Sequence, residues 1–164
     1  MNEVNVYDNF LSSYHFNLIE SYFMGGEVPW FWKDYVVYAN ERGDDYQFNT
    51  SIFIDGDKYI TFPFVEPCIP KLGCSVLHRI KANCRPKTLF HRRTSYHVDY
   101  NDSTNLFTSI FYVNTNNGWT DIKGNGKIKS VANRMVVFPG FLKHRGVSCT
   151  DQRKRVVINF NYEK

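Results

Sequence analysis

The sequence lacks any apolar run near the ~20 residues that a membrane helix requires. It also lacks a Cys-x-x-Cys pair. Its four cysteines, at positions 68, 74, 84 and 149, have no histidines at zinc-finger spacing. A zinc module is therefore excluded, and free thiols, some buried as small hydrophobes, are expected in a reducing compartment. No linker, low-complexity tract or internal repeat interrupts the chain, so one domain is expected over residues 1–164. Charged residues are only 22% and the net charge is +4, which excludes a disordered acidic or basic tail. The one tight basic knot, His91-Arg92-Arg93, reads as a solvated loop before it reads as a guide for an acidic substrate. The stretch Met1 to Asn5 has neither the basic start nor the apolar segment of a secretory signal, so a cytoplasmic location is expected.

Aromatic residues, by contrast, are plentiful at 17%, within a hydrophobic content of 43%. A chain of 164 residues buries roughly 70% of the surface that it exposes when unfolded, so a core is affordable. Val4 to Tyr7 alternates like a short strand. A helix is expected from about Ser12 to Phe23, capped by Ser12 or Ser13 and ended by Gly25-Gly26. Tyr14, Leu18, Ile19 and Tyr22 would form its apolar stripe, and His15 reads as structural.

After Pro29-Trp30-Phe31-Trp32, an aromatic cluster read as core or hinge, the pattern turns to strands. They are expected at Tyr35–Tyr38, Ser51–Ile54, Val76–Cys84, Thr94–Tyr100, Leu106–Asn114, Trp119–Ile122, Arg134–Phe138 and Arg155–Phe160. Asp55-Gly56-Asp57 is a hairpin turn rather than a calcium loop, because the later ligands are missing. Phe62 to Leu72 holds three prolines and reads as a loop or edge. Short strands with frequent turns point to a mainly β fold, a jelly-roll-like double sheet with an N-terminal helix packed on it. The helical part would cover about 1–34 and the jelly-roll core about 35–164.

Chemistry concentrates around Tyr96-His97-Val98-Asp99-Tyr100. In a strand, residues two apart share a face, so His97 and Asp99 aim at one point. An imidazole and a carboxylate so placed supply two of the three ligands of a non-haem iron(II) centre. His144 is the candidate third. Of the other histidines, His15 is on the helix, His78 has apolar neighbours and His91 is in the basic loop.

From this triplet onward the chain resembles the iron(II)/2-oxoglutarate-dependent dioxygenases, in particular their compact prolyl-hydroxylase-like members. The resemblance is carried, in family order, by several pieces. They are His97-x-Asp99, Phe107 to Asn114, Gly118-Trp119-Thr120, Asn133 to Phe138, Lys143 to Val147, and Arg155 to Tyr162. The part before residue 94 matches only loosely.

The resemblance implies a double-stranded β-helix that binds iron(II) through His97, Asp99 and His144. It also implies 2-oxoglutarate and dioxygen as co-substrates, with succinate and carbon dioxide released as a substrate is hydroxylated. Arginine suits the distal carboxylate of 2-oxoglutarate, because its fork is planar and permanently charged. Arg153 and Arg155 share a strand face, and spacing from His144 does not separate them. The family has its arginine directly before an apolar run, which favours Arg155. The same likeness sets the Tyr112 phenol on that carboxylate, beside an inward-facing Thr108. Asn83 and Arg79, on the polar face of their strand, are read as contacts to co-substrate or substrate, or as an exposed face. Asp99 argues against the halogenating branch, which has a small residue there. The favoured substrate is a protein side chain, prolyl or other. A nucleobase or small molecule remains open, as does a non-catalytic binding module with a vestigial metal site.

Overall fold

Two antiparallel sheets contribute side chains to one cavity, and the chain passes back and forth between them. The structure, a computed structural model, describes residues 3–38, 45–99 and 105–164. Its strands are β1 (Asn5–Tyr7), β2 (Phe31–Lys33), β3 (Gln47–Ile54), β4 (Asp57–Lys58), β5 (Val76–Pro86) and β6 (Leu106–Tyr112). They continue with β7 (Trp119–Ile122), β8 (Gly126–Lys129), β9 (Arg134–Pro139), β10 (His144–Val147) and β11 (Lys154–Glu163). The larger sheet runs β1-β9-β6-β11-β5-β3-β2, with β4 paired to β3, and the smaller runs β10-β7-β8. Bridges from Arg93 to Val147 and from His97 to His144 add the segment before Asp99 to the free side of β10. From β5 onward the chain thus alternates between sheets, which makes the fold a double-stranded β-helix. The strand expected over Thr94–Tyr100 is reduced to these bridges, and Tyr100 lies outside the described residues, as do Asn40 to Asp44 of the polar segment before β3.

The outer face of the large sheet is apolar. Val156, Ile158 and Phe160 of β11 share a buried cluster with Ile19 and Phe23 of helix α1 (Ser13–Met24). Ser12 caps α1 by accepting from the His15 amide, as expected, and Gly25 follows its last residue. The buried stripe differs from the expectation. Tyr14 and Leu18 are exposed, while Phe16, Ile19, Tyr22 and Phe23 pack inward, so the helix is rotated toward its phenylalanines. The apolar area of two phenylalanines outweighs the spacing that favoured Tyr14 and Leu18.

Two further expectations are corrected. Tyr35–Tyr38 is not a strand, because Phe31–Lys33 already occupies the edge of β3. The displaced segment is instead held by Gln47, whose Nε2 donates to the Val36 carbonyl at 2.9 Å. Residues 62–72 are helical turns: α2 (Phe62–Val65), a 3-10 turn over Glu66–Cys68, and α3 (Ile69–Leu72). Pro63, Pro67 and Pro70 each fall in the first two positions of a turn, where the missing N–H has no intrahelical acceptor to lose. The hairpin at Asp55-Gly56 does form, with φ of 44° and 104°, the left-handed pair that a tight two-residue turn needs. All four cysteines are free thiols. Among the described residues no helix is long and apolar enough to cross a membrane.

Candidate metal and co-substrate site

The inner face of the large sheet is built in rungs, each two residues further along its strands and about 6.7 Å from the last. Arg79 (β5), Asn161 (β11), Thr108 (β6) and Phe138 (β9) form the first. Lys81, Asn159, Ile110 and Val136 form the second. Asn83, Val157 and Tyr112 follow, and Arg85 beside Arg155 closes the series.

The first rung holds Asp99. Arg79 Nη2 donates to Oδ1 at 3.1 Å, while Asn161 Nδ2 at 2.9 Å and Thr108 Oγ1 at 3.1 Å both donate to Oδ2. Asn161 in turn accepts from Arg79 Nε at 3.0 Å, so the cradle is closed on itself. Burial alone would raise the Asp99 carboxyl. The neighbouring His144 imidazole, the Arg79 guanidinium and the bond from Asn161 outweigh it, and the carboxyl lies below its ordinary value. Three donors occupy three of a carboxylate's roughly four acceptor positions. One is left over.

The carboxylate stands beside two histidines. His97, Asp99 and His144 each present a ligand atom, all within 4.8 Å of one another. His144 Nδ1 is 3.2 Å from the Leu142 carbonyl, which requires the ring proton there and leaves a lone pair on Nε2. That Nε2 is buried with no hydrogen-bond partner, 3.9 Å from Asp99 Oδ2. Burial pushes the His144 imidazole below its usual range, which keeps it neutral. His97 Nδ1 is turned toward the Ser95 carbonyl at 3.4 Å, a looser version of the same arrangement. Carbonyl-oriented histidines and a hydrogen-bonded carboxylate are the surroundings that metal ligands require. The donor set of two neutral imidazoles and one carboxylate fits iron(II).

At the other end of the cavity, Arg155 is buried, 4% exposed, and no carboxylate of the described residues pairs with it. Its Nε donates to Ser130 Oγ at 3.0 Å and its Nη2 to Thr120 Oγ1 at 3.1 Å. Burial pushes the guanidinium down to about 10, so it stays charged at neutral pH. Two glycines make room for it. A Cβ on Gly118 would lie 2.9 Å from Arg155 Cδ and 2.7 Å from the Val147 carbonyl, and Gly146 faces Nη1. Thr120 lies two residues before Ile122, the β7 partner of His144. The guanidinium contact is therefore about one strand repeat, roughly 6.7 Å, from the position of His144 along β7. A short dicarboxylate spans that distance.

The cavity between these ends measures about 100 Å³ and is lined by His97, Asp99, His144, Asn83, Lys81 and Arg155 among others. Sequence reasoning thus brings His97, Asp99, His144, Arg155 and Asn83 to one place, and Asn83 Oδ1 is buried there without a partner. Tyr112 and Thr108 are placed differently. Tyr112 is wholly buried behind the wall, and its hydroxyl donates to Thr120 Oγ1 at 2.8 Å, so Thr120 is the residue that reaches the cavity. Thr108 is spent on Asp99. Arg153 is exposed and lines no part of this cavity. Sequence reasoning missed Asn161, Thr120, Ser130 and Arg85. The signal for Asn161 is Asn159-Phe160-Asn161, a polar alternation inside an apolar strand on the face already assigned to Arg155.

No protein-family model matches the chain, and no curated protein matches it significantly in sequence. Solved structures do match in shape. A prolyl hydroxylase from Trichoplax adhaerens, solved with a hypoxia-inducible-factor peptide fragment, has a TM-score of 0.67 at 14% identity, over 99% of this chain and 84% of that one. A 2OG-Fe(II) oxygenase-family oxidoreductase from Burkholderia pseudomallei has a TM-score of 0.68 at 11% identity, over 98% and 84%. The epimerase SnoN of nogalamycin biosynthesis, solved with Fe3+, α-ketoglutarate and a nogalamycin compound, gives 0.67 at 9%, over 99% and 79%. The chain has the fold of these oxygenases. Such identities establish the shared fold and no more, so the assignment of chemistry rests on the site itself.

Proposed function

We propose that this chain is a single-domain iron(II)- and 2-oxoglutarate-dependent oxygenase that hydroxylates a substrate, with a protein side chain favoured, and releases succinate and carbon dioxide. One observation carries the reading. The His144 lone pair is buried and unpartnered beside Asp99 and His97, in the same cavity as a buried arginine that no carboxylate of the described residues pairs with. Iron(II), when bound, supplies the activation of dioxygen that is coupled to decarboxylation of 2-oxoglutarate.

The chain's own residues do the rest. His97, Asp99 and His144 hold the metal on one side only and leave the cavity side open. Arg155, steadied by Ser130 and Thr120, receives the distal carboxylate of the co-substrate, and Tyr112 fixes Thr120 from behind. Arg79, Asn161 and Thr108 keep Asp99 ionised and stop it from turning away. Ile110 and Val157 supply apolar wall beside the reacting centre and limit water there. A peptide substrate is supported by the Trichoplax neighbour, which was solved with a peptide fragment.

The test is anaerobic titration with iron(II) and 2-oxoglutarate, then exposure to air and measurement of succinate. Asp99→Ala and His144→Ala should each abolish succinate while retaining a cooperative thermal transition. Turnover retained in both would remove the metal assignment. Mass spectrometry for gain of one oxygen, over peptides and oligonucleotides, then finds the substrate.

A further inference from the structure

Beyond the co-substrate, the site is more basic than the proposed chemistry needs. Among the described residues, the cavity and the hollow beside it on the same sheet are lined by five cations, Arg79, Lys81, Arg85, Arg155 and Lys33, against one acid, Asp99. Arg79 is matched by Asp99 and Arg85 by Asp45, at 3.1 Å and 2.7 Å. Arg155 is assigned to the co-substrate. Lys81 and Lys33 are left, and no carboxylate of the described residues lies within 4.0 Å of either ammonium. Lys81 stands on the rung between the Asp99 cradle and Asn83, so its charge points at the space next to the metal ligands.

The inner face does not stop at the barrel. Ser51 pairs with Lys81, Asn49 with Asn83, and Phe31 with Asn49, while Lys33 lies beside Gln47. This carries the polar face outward across β3 and β2 to the second hollow, where Phe31, Tyr59 and Ile60 are exposed at 61%, 44% and 79%. The result is a groove with cations along its floor and apolar side chains at its outer end.

We infer that the substrate is an acidic peptide segment, lying along the inner face of β5, β3 and β2 with its carboxylates on Lys81 and Lys33. The inference deepens the oxygenase reading and rests on it for the chemistry, but not for the binding. Charge complementarity selects the occupant: two unmatched lysines at a half-buried mouth disfavour a cationic or neutral ligand. The exposed Phe31 and Ile60 give apolar side chains of the same peptide a place to sit. A nucleic acid is the lesser fit, since two lysines provide few phosphate contacts.

Binding is measured by fluorescence anisotropy on the full chain, without iron. The probes are a short labelled peptide of repeating Glu-Pro-Ile-Asp, its Gln/Asn counterpart, and labelled oligothymidylate. The acidic peptide should bind about tenfold tighter than its amide counterpart at low salt, with the advantage shrinking as salt rises. Lys81→Gln should remove most of that advantage, and Lys33→Gln part of it. Lys33 is exposed on an edge strand, so its variant still reads the groove if Lys81→Gln fails to fold. Equal binding of the two peptides overturns the inference, and so does preference for oligothymidylate. Succinate formation by the same wild-type preparation separates the two readings. Succinate without charge preference sinks the acidic substrate alone, and charge preference without succinate sinks the oxygenase alone.

Discussion

Asn161 donates from its side-chain amide to Asp99 Oδ2 at 2.9 Å, which ties the last strand of the chain to the carboxylate of the proposed metal triad. The same amide carbonyl accepts from Arg79, so one side chain fixes both the ligand and its counter-charge. Asn161→Leu keeps approximate volume and removes both bonds. Metal affinity should fall about 10–100-fold, the usual range for loss of a partner behind a ligand. Anaerobic titration with iron(II) or manganese(II) measures it. Unchanged affinity would mean that Arg79 and Thr108 suffice to hold Asp99.

Arg155 and Arg153 separate cleanly in the structure, one 4% exposed in the cavity and the other at the surface. Arg155→Ala should raise the 2-oxoglutarate requirement by about two orders of magnitude, in line with losing a charge-assisted bond. Arg153→Ala should leave it unchanged. Gly118→Ala should imitate Arg155→Ala more weakly, since its Cβ would press on Arg155 Cδ and on the Val147 carbonyl. Steady-state KM values for 2-oxoglutarate decide all three, and a normal KM in Arg155→Ala would move the role elsewhere.

What the sequence made legible follows from the period of its strands. In β11, Val156, Ile158 and Phe160 alternate with Arg155, Val157 and Asn159, and the structure sends the first set to the core and the second to the cavity. His97 and Asp99 do converge, although a single bridge at His97 stands in place of the strand whose alternation was to align them. What was hidden depends on pairing across strands, which spacing along the chain does not encode. Thr108 and Asn161 meet because β6 and β11 are in that register, and Tyr112 stops short of the cavity because Thr120 of the other sheet stands in front of it. Tyr35–Tyr38 has a strand's composition but no free edge, since Phe31–Lys33 already pairs with β3. The prolines of residues 62–72 read as breakers alone, whereas three in register with three short turns act as starters.

Acid should destabilise the metal-free protein before ordinary acid unfolding begins. Burial holds the His144 imidazole below its usual value, with Asp99 opposing. As pH falls through about 6.5, the unfolded chain takes up this proton first, so stability falls. Asp99, also held low, adds a loss of the same sign at more acidic pH, below about 4. Melting of chelator-treated protein should therefore drop between about pH 7.5 and about pH 5, and His144→Gln should flatten that part of the curve. A profile equally steep in the variant would assign the proton to another group.

Arg85 and Arg155 are direct cross-strand partners, both buried, yet among the described residues only Arg85 has an acid. Asp45 grips it with both oxygens, at 2.7 Å and 2.8 Å, so this end of the cavity carries one net charge rather than two. Asp45→Asn leaves the Arg85 guanidinium buried and unmatched beside a second one. Stability should fall by about 3–5 kcal/mol at most, the lower end being expected because Asp45 is partly exposed. Adding Arg85→Met should restore much of it, since the cost lies in the orphaned charge and not in the missing bond. Co-substrate binding should move the other way. With Asp45 gone, an extra cation stands near the distal carboxylate, so the rise in Tm produced by saturating 2-oxoglutarate should be larger in Asp45→Asn than in the parent. Thermal melts of the two single variants and the double, with and without 2-oxoglutarate, measure both effects. A fall in stability that Arg85→Met does not relieve would show that Asp45 acts by ordering its own segment instead.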